Sequence, residues 1–222
     1  VPPAAVLKSD TRVRRPVLEL YERGLATHRL WAREQGGARY GLPVSDWSQA
    51  AIPGDADLIA RCKGSTLDIG CGPGRLASAL TAAGIDALGI DISAGAVARA
   101  RKLGAKALRR SVFGPVPRTG RWRYALLADG NIGIGGDPAM LLRRVRELLA
   151  PGGRLLVEVS APNVATATRE LWLEDEFGAC SEAFAWAEVG VDDVASLARE
   201  CRLEVTETWT SCTRWFAALG RP

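Results

Sequence analysis

Apolar and polar positions along the chain follow two alternating periods. The run "STLDIG" at 65–70 is short and apolar, with a turn at its end, and predicts a buried strand. "RLASALTAAG" then carries helical spacing and stops at Gly84, before a second strand, "DALGIDI". Ser93 is placed to cap the next helix, "SAGAVARARKLG", and Gly104 to end it. "AKALRRSV" and "RYALLAD" predict a third and a fourth strand. Asp137 and Pro138 mark the start of the helix "AMLLRRVRELLA", which "PGG" ends ahead of the fifth strand, "RLLVEVS". "VDDVASLAREC" is a further helix, and "LEVTETWT" with "TRWFAALG" a closing hairpin. Repeated β-α-β units imply a mostly parallel sheet covered by helices on both faces.

The flanking segments have less regular patterns. Residues 14–34 place Val17, Leu18, Leu20, Tyr21, Leu25, His28 and Trp31 loosely on one side, which predicts a helix broken by "GGARYGLPVSDW". Asp55 is a candidate cap for a short helix reaching Arg61. Residues 161–190 are longer than a simple connection needs and hold Trp172, Phe177, Phe184 and Trp186, with "AFAWAEV" alternating as in a strand.

Composition sets the outer limits. The 222 residues suffice for one sizeable core, and 47% are apolar. No apolar run is long enough to span a membrane, and the start lacks the apolar core of a signal peptide, so a cytoplasmic protein is expected. Five scattered cysteines and a single histidine predict reduced thiols and no metal site.

The net charge of +4 is segregated: residues 99–123 hold nine Lys/Arg and no acid, whereas residues 170–207 hold eleven acids and two bases. Solvated faces account for this, and a nucleic-acid partner is not expected, because such domains are usually more basic overall, with aromatics among the bases.

The candidate chemistry is concentrated in "LDIGCGPGRL", residues 67–76. Glycines 70, 72 and 74 allow the backbone to approach a ligand closely, and amides of the turn and helix start face an anionic group. The pattern is GxGxG, with Arg75 where a dinucleotide fingerprint has its third glycine. Asp68 suits a cationic ligand and would repel pyrophosphate, whereas Asp91, ending the second strand, can accept the ribose hydroxyls of a dinucleotide and of another nucleoside ligand alike.

With "GIDIS", "LLAPGGRLLVEV" and the terminal hairpin, this stretch resembles the class I, Rossmann-like S-adenosylmethionine-dependent methyltransferases across about residues 60–222. The resemblance implies a three-layer α/β sandwich with a seven-stranded, mostly parallel sheet of order 3-2-1-4-5-7-6. Residues 59–222 would form the cofactor domain, and residues 1–58 an N-terminal helical lid. It implies S-adenosylmethionine as cofactor, bordered by Asp68, Gly70, Cys71, Gly72 and Gly74, with Asp91 on the ribose and Ile92 on the adenine. Ser111 or the amide of Val112 stands where many members carry an adenine-binding acid. Asp129 and Asn131, after the fourth strand, would face the methyl-donor site; the Asn/Asp-Pro-Pro-aromatic signature of DNA-base and glutamine methylating relatives is absent.

The expected acceptor is a small molecule methylated on oxygen or nitrogen. Tyr21, Trp31, Tyr40 and Asn131 would line its pocket, and His28 would serve as a base. The alternatives are an RNA methyltransferase using the basic run, or a protein that binds the cofactor without transferring methyl.

Overall fold

The structure is a computed structural model and describes residues 14–34, 36–37 and 39–222. The first 13 residues of the expected lid, with Lys8 and Arg12, therefore lie outside the described residues.

The main sheet has the expected architecture. Strands β4 (Thr66–Ile69), β5 (Ala87–Asp91), β6 (Ala107–Arg109), β7 (Trp122–Leu127) and β8 (Leu149–Val159) pair in parallel, and the hairpin β12 (Glu204–Ser211) and β13 (Arg214–Gly220) joins β8 antiparallel. The resulting order is β12-β13-β8-β7-β4-β5-β6. All four β4 residues are buried, because parallel strands lie between two helical layers.

Four helices cover this sheet: α4 (Arg75–Ala82), α5 (Ala94–Lys102), α6 (Pro138–Leu148) and α7 (Val194–Glu200). Ser93 Oγ accepts the Ala96 amide at 3.0 Å and an Asp137 carboxylate oxygen the Met140 amide at 2.9 Å, so both predicted caps form. One core layer joins Leu67, Trp122, Leu141 and Leu155; the opposite layer joins Leu76, Leu80, Leu126 and Phe216.

Two local readings change. The helix expected over 14–34 is confined to α1 (Val17–Thr27). His28 adopts the left-handed conformation, φ 58°, and the chain folds back until Leu30 meets Gly24, where a Cβ would lie 2.8 Å from that of Leu30. The residues that follow form two strands, β2 (Trp31–Glu34) and β3 (Arg39–Gly41), before α2 (Val44–Trp47). Asp55 does not cap α3 (Asp55–Ala60): Gly54 holds the cap position, and Asp55 is the first helical residue with its carboxylate drawn elsewhere.

The connection after β8 supplies β9 (Ala167–Glu174), β10 (Cys180–Ser181) and β11 (Phe184–Glu188). The alternation in "AFAWAEV" is thus a strand. β9 pairs with β10 and β11 and, through Leu171–Glu174, with β2; β3 extends β2, and β1 (Arg14–Arg15) pairs with β10. The described part of the expected helical lid therefore combines α1, the short α2 and strands of a second, six-stranded sheet shared with the distant insertion. No helix among the described residues is long and apolar enough to cross a membrane.

Candidate active site

The glycine turn follows β4 at the carboxyl end of the sheet, where ligands bind in open α/β folds. Gly72 and Gly74 have φ of 52° and 98°, and a Cβ on Gly74 would lie 2.6 Å from the Ala100 Cβ, so α4 approaches α5 too closely for any other residue. Asn131 bridges this turn, its Nδ2 donating to the carbonyls of Ile69 and Gly70 at 3.0 Å each. The amide of Asn131 is thus spent on holding the loop.

Asp91 accepts the Gly72 amide at 2.9 Å on one oxygen and the Ser93 amide at 2.8 Å on the other. Each oxygen retains a lone pair for a further donor. Burial raises its pKa against the pull of these amides. Ile92 beside it is 51% exposed, an apolar side chain left on the surface next to a polar cradle. Ser111 is exposed and accepts the Phe113 amide at 3.2 Å, while Val112 is buried and its carbonyl accepts Arg144 Nε at 2.9 Å. Phe113, 39% exposed, was not singled out in the sequence, although it is the one aromatic in that run.

Asp68 is buried, and its Oδ2 has no hydrogen-bond partner among the described residues. Burial first, then the neighbouring Asp129 carboxylate, pushes its pKa up to about 7, against the pull of Arg75 and the Ala77 amide. A buried orphan acceptor is costly unless a ligand satisfies it. Cys71 packs on Gly89, where a Cβ would lie 2.7 Å from its Sγ, and burial raises its thiol pKa. An orphaned carboxylate, a two-lobed carboxylate and a cradle without Cβ atoms fit a zwitterionic nucleoside ligand.

Beneath the turn runs an ion network that sequence reasoning missed. Arg75 is buried and pairs with both Asp55 and Asp129. Arg214 pairs with Asp55 at 2.9 Å, with Asp129 at 3.2 Å and with Glu158 at 2.7 Å. Glu158 also accepts the Asp129 amide at 2.6 Å. These contacts hold Asp129 in a left-handed conformation, φ 54°, that only a well-determined setting sustains. The only sequence signal was Arg75 standing in place of a glycine.

The N-terminal helix reaches this site directly. Glu22 of α1 accepts the Ser93 hydroxyl at 2.7 Å and the Gly95 amide at 2.9 Å, and both bonds lower its pKa. The Tyr21 hydroxyl lies 3.3 Å from where a Gly72 Cβ would be. Burial, and then the nearby Asp91, hold that phenol in its neutral form by raising its pKa.

A cavity of about 400 Å³ opens between the second sheet and the carboxyl end of β7 and β8. Gly130, Ile132, Glu158 and Ser160 line it from the main sheet. Glu34, Tyr40, Arg169, Leu171, Trp186 and Glu188 line it from β2, β3, β9 and β11, the same face of successive cross-strand pairs. Tyr40 therefore lines the cavity as expected, whereas Trp31 packs under the Arg39 guanidinium, 4.3 Å from its ring centroid. His28 is exposed at the end of α1 and does not line the cavity. Of the four aromatics in the insertion only Trp186 lines it; Phe177 is 77% exposed. Gly133 lets β11 dock, since a Cβ there would lie 2.3 Å from the Ala187 carbonyl oxygen. That glycine makes room for backbone.

A family model for the methyltransferase domain matches residues 27–184. The chain belongs to that family. No curated protein sequence matches it significantly. A methyltransferase from Bacteroides fragilis, solved with S-adenosylhomocysteine, superposes with a TM-score of 0.76 at 19% identity, covering 95% of this chain and 98% of that one. The N1-methyltransferase for 1,6-didemethyltoxoflavin from Burkholderia thailandensis has a TM-score of 0.56 at 16% identity, covering 75% of this chain and 76% of that one. An amino pentose methyltransferase from Micromonospora echinaspora, solved with S-adenosylmethionine, has a TM-score of 0.56 at 15% identity, covering 76% of this chain and 90% of that one. This methyltransferase is accordingly an S-adenosylmethionine-dependent enzyme of class I.

Proposed function

We propose that this methyltransferase acts on a small molecule, at an oxygen or nitrogen atom, held in the cavity between the two sheets. The observation that carries this reading is the cavity itself, about 400 Å³, with Gly130 on its floor one residue from Asp129. Structural neighbours described as acting on small molecules support it: 1,6-didemethyltoxoflavin in one case and an amino pentose in the other.

When bound, the cofactor supplies a methyl group already activated on a sulfonium. The protein's own work is then to bind and align. Asp91 is assigned to the ribose hydroxyls, Asp68 to the cationic amine of the methionine part, and the Gly70–Gly74 turn to its carboxylate. Ile92 is assigned to cover the adenine beside Ser111 and Val112, and Asp129 to frame the donor end. Alignment of acceptor and methyl can supply much of the rate. His28 has no part in this chemistry. Residues 14–58 act as a cover together with the distant strands β9–β11.

The basic run offers less to RNA than its charge suggests. Arg101 donates to the Ala107 carbonyl, Arg109 to that of Ile92, and Arg118 pairs with Asp86 at 2.6 Å.

The test is calorimetry with S-adenosylmethionine, followed by S-adenosylhomocysteine release against pools of small hydroxyl and amine compounds. Cofactor binding with release from at least one small-molecule pool is expected; release only with RNA would overturn the reading.

A further inference from the structure

Resting on that reading, we infer that the cavity takes an acceptor bearing an ammonium group, recognised by Glu34 and Glu188, and thus that the methylated atom belongs to an amine-bearing compound. The lining is strongly one-signed. Glu34, Glu158 and Glu188 face the cavity, with Arg169 as the one guanidinium among the lining residues. Arg169 is stretched between two of them, 3.3 Å from Glu34 and 3.5 Å from Glu188, so neither pair is tight. Glu158 is already held by Arg214 at 2.7 Å and 2.9 Å. Glu34 and Glu188 therefore keep acceptor capacity toward the cavity, and the other Glu188 oxygen is fixed by the Ser160 hydroxyl at 2.8 Å.

Trp186 stands on the same strand, two residues before Glu188, and its cross-strand partner is Arg169. An aromatic wall beside carboxylates is a common setting for an organic cation. A carboxylate- or phosphate-bearing acceptor would meet Glu34 and Glu188 with only Arg169 shared between them, and would be disfavoured. A neutral hydroxyl compound would gain nothing from the excess charge. Tyr40 completes the rim, near Glu34 and Glu188, and its burial together with those carboxylates raises its pKa, so it stays a hydrogen-bond donor.

The experiment uses the full chain saturated with S-adenosylhomocysteine and three matched probes: phenethylamine, 2-phenylethanol and phenylacetate. Calorimetry should show phenethylamine binding at least tenfold tighter than 2-phenylethanol, with phenylacetate weakest. Glu188→Gln and Glu34→Gln should each reduce that preference several-fold while cofactor affinity stays within twofold. Equal or tighter binding of the alcohol or the acid, no binding by any probe at millimolar concentration, or an unchanged preference in both variants would overturn the inference. If cofactor binding is intact and hydroxyl compounds alone are methylated, the methyltransferase reading stands and the amine assignment falls. If the cofactor itself fails to bind, the underlying reading falls.

Discussion

The two sides of the active site are built by different means. On the side proposed for the cofactor, the assigned groups lie at or within a few residues of a strand end: Asp68 in β4 with the glycines that follow it, Asp91 at the end of β5 with Ser93 beyond it, and Asp129 after β7. On the acceptor side, the walls come from segments far apart in sequence, as in the pairing of Glu34 with Leu171. The first side depends on local backbone geometry, and the second on long-range strand pairing. A ligand shared by a whole family can be served by a fixed local turn. A varied acceptor is more easily served by a sheet whose inward side chains alternate and can each be exchanged.

If this division is right, damage to each side should have separate effects. The largest expected effect lies under both, in the ion network. Arg75→Met leaves the buried Asp55 and the half-buried Asp129 to share Arg214 alone, and removing one partner of a buried charge costs up to about 3–5 kcal/mol. Chemical denaturation should show a loss of that order; a loss under about 1 kcal/mol would mean that the network carries little.

Asp91→Ala removes two amide contacts as well as the ribose acceptor. Hydrogen bonds to a charged group are worth about 1.5–3 kcal/mol each, so affinity for S-adenosylmethionine should fall about a hundredfold, and NADH should bind neither form. Unchanged affinity by calorimetry would remove Asp91 from the site.

Gly133→Ala acts on the other side alone. Its Cβ would press on the Ala187 carbonyl and shift β11, and a displacement near 1 Å can cost about a hundredfold in rate. Methyl transfer should drop by about tenfold or more, while cofactor affinity stays within twofold. Equal losses in both would show that the two sides are not separable.

The smallest effect on binding comes with a pH dependence of two opposite signs. Asp68 holds its proton in the folded protein up to about pH 7, against 3.8 for an ordinary aspartate. The folded state thus binds more protons than the unfolded state across that window, and its contribution to stability is lost as pH rises from about 4 to about 7. Cofactor affinity should run the other way, gaining several-fold as pH rises through about 7 and Asp68 ionises to meet a cation. Asp68→Asn should flatten both curves; a pH dependence that persists in the variant would assign it elsewhere.

The same contrast explains what the sequence made legible. The succession of strands and helices and both helix caps follow from short-range patterns that repeat in every β-α unit, whereas the strand order and the roles proposed for the glycine turn are what the family resemblance implies. The cap sheet leaves no such trace. β2 is only four residues, "WARE", and its register with β9 is set by a partner more than a hundred residues away. Read locally, that segment continues the helix of α1; the turn at His28 and the fit of Leu30 on Gly24 decide otherwise. Arg214 and Glu158 likewise carry no motif, because their meaning comes from the β8–β13 pairing that brings them to Asp55 and Asp129.

The central claim is that the second sheet closes an acceptor cavity directly onto the methyl donor. The most direct measurement is a crystal structure with S-adenosylhomocysteine bound. The account predicts the sulfur opening into the space between Gly130, Glu158 and Trp186, with Asp68 and Asp91 both in contact with the ligand. A sulfur walled off from that space, or facing solvent on the opposite side of Tyr21, would contradict it.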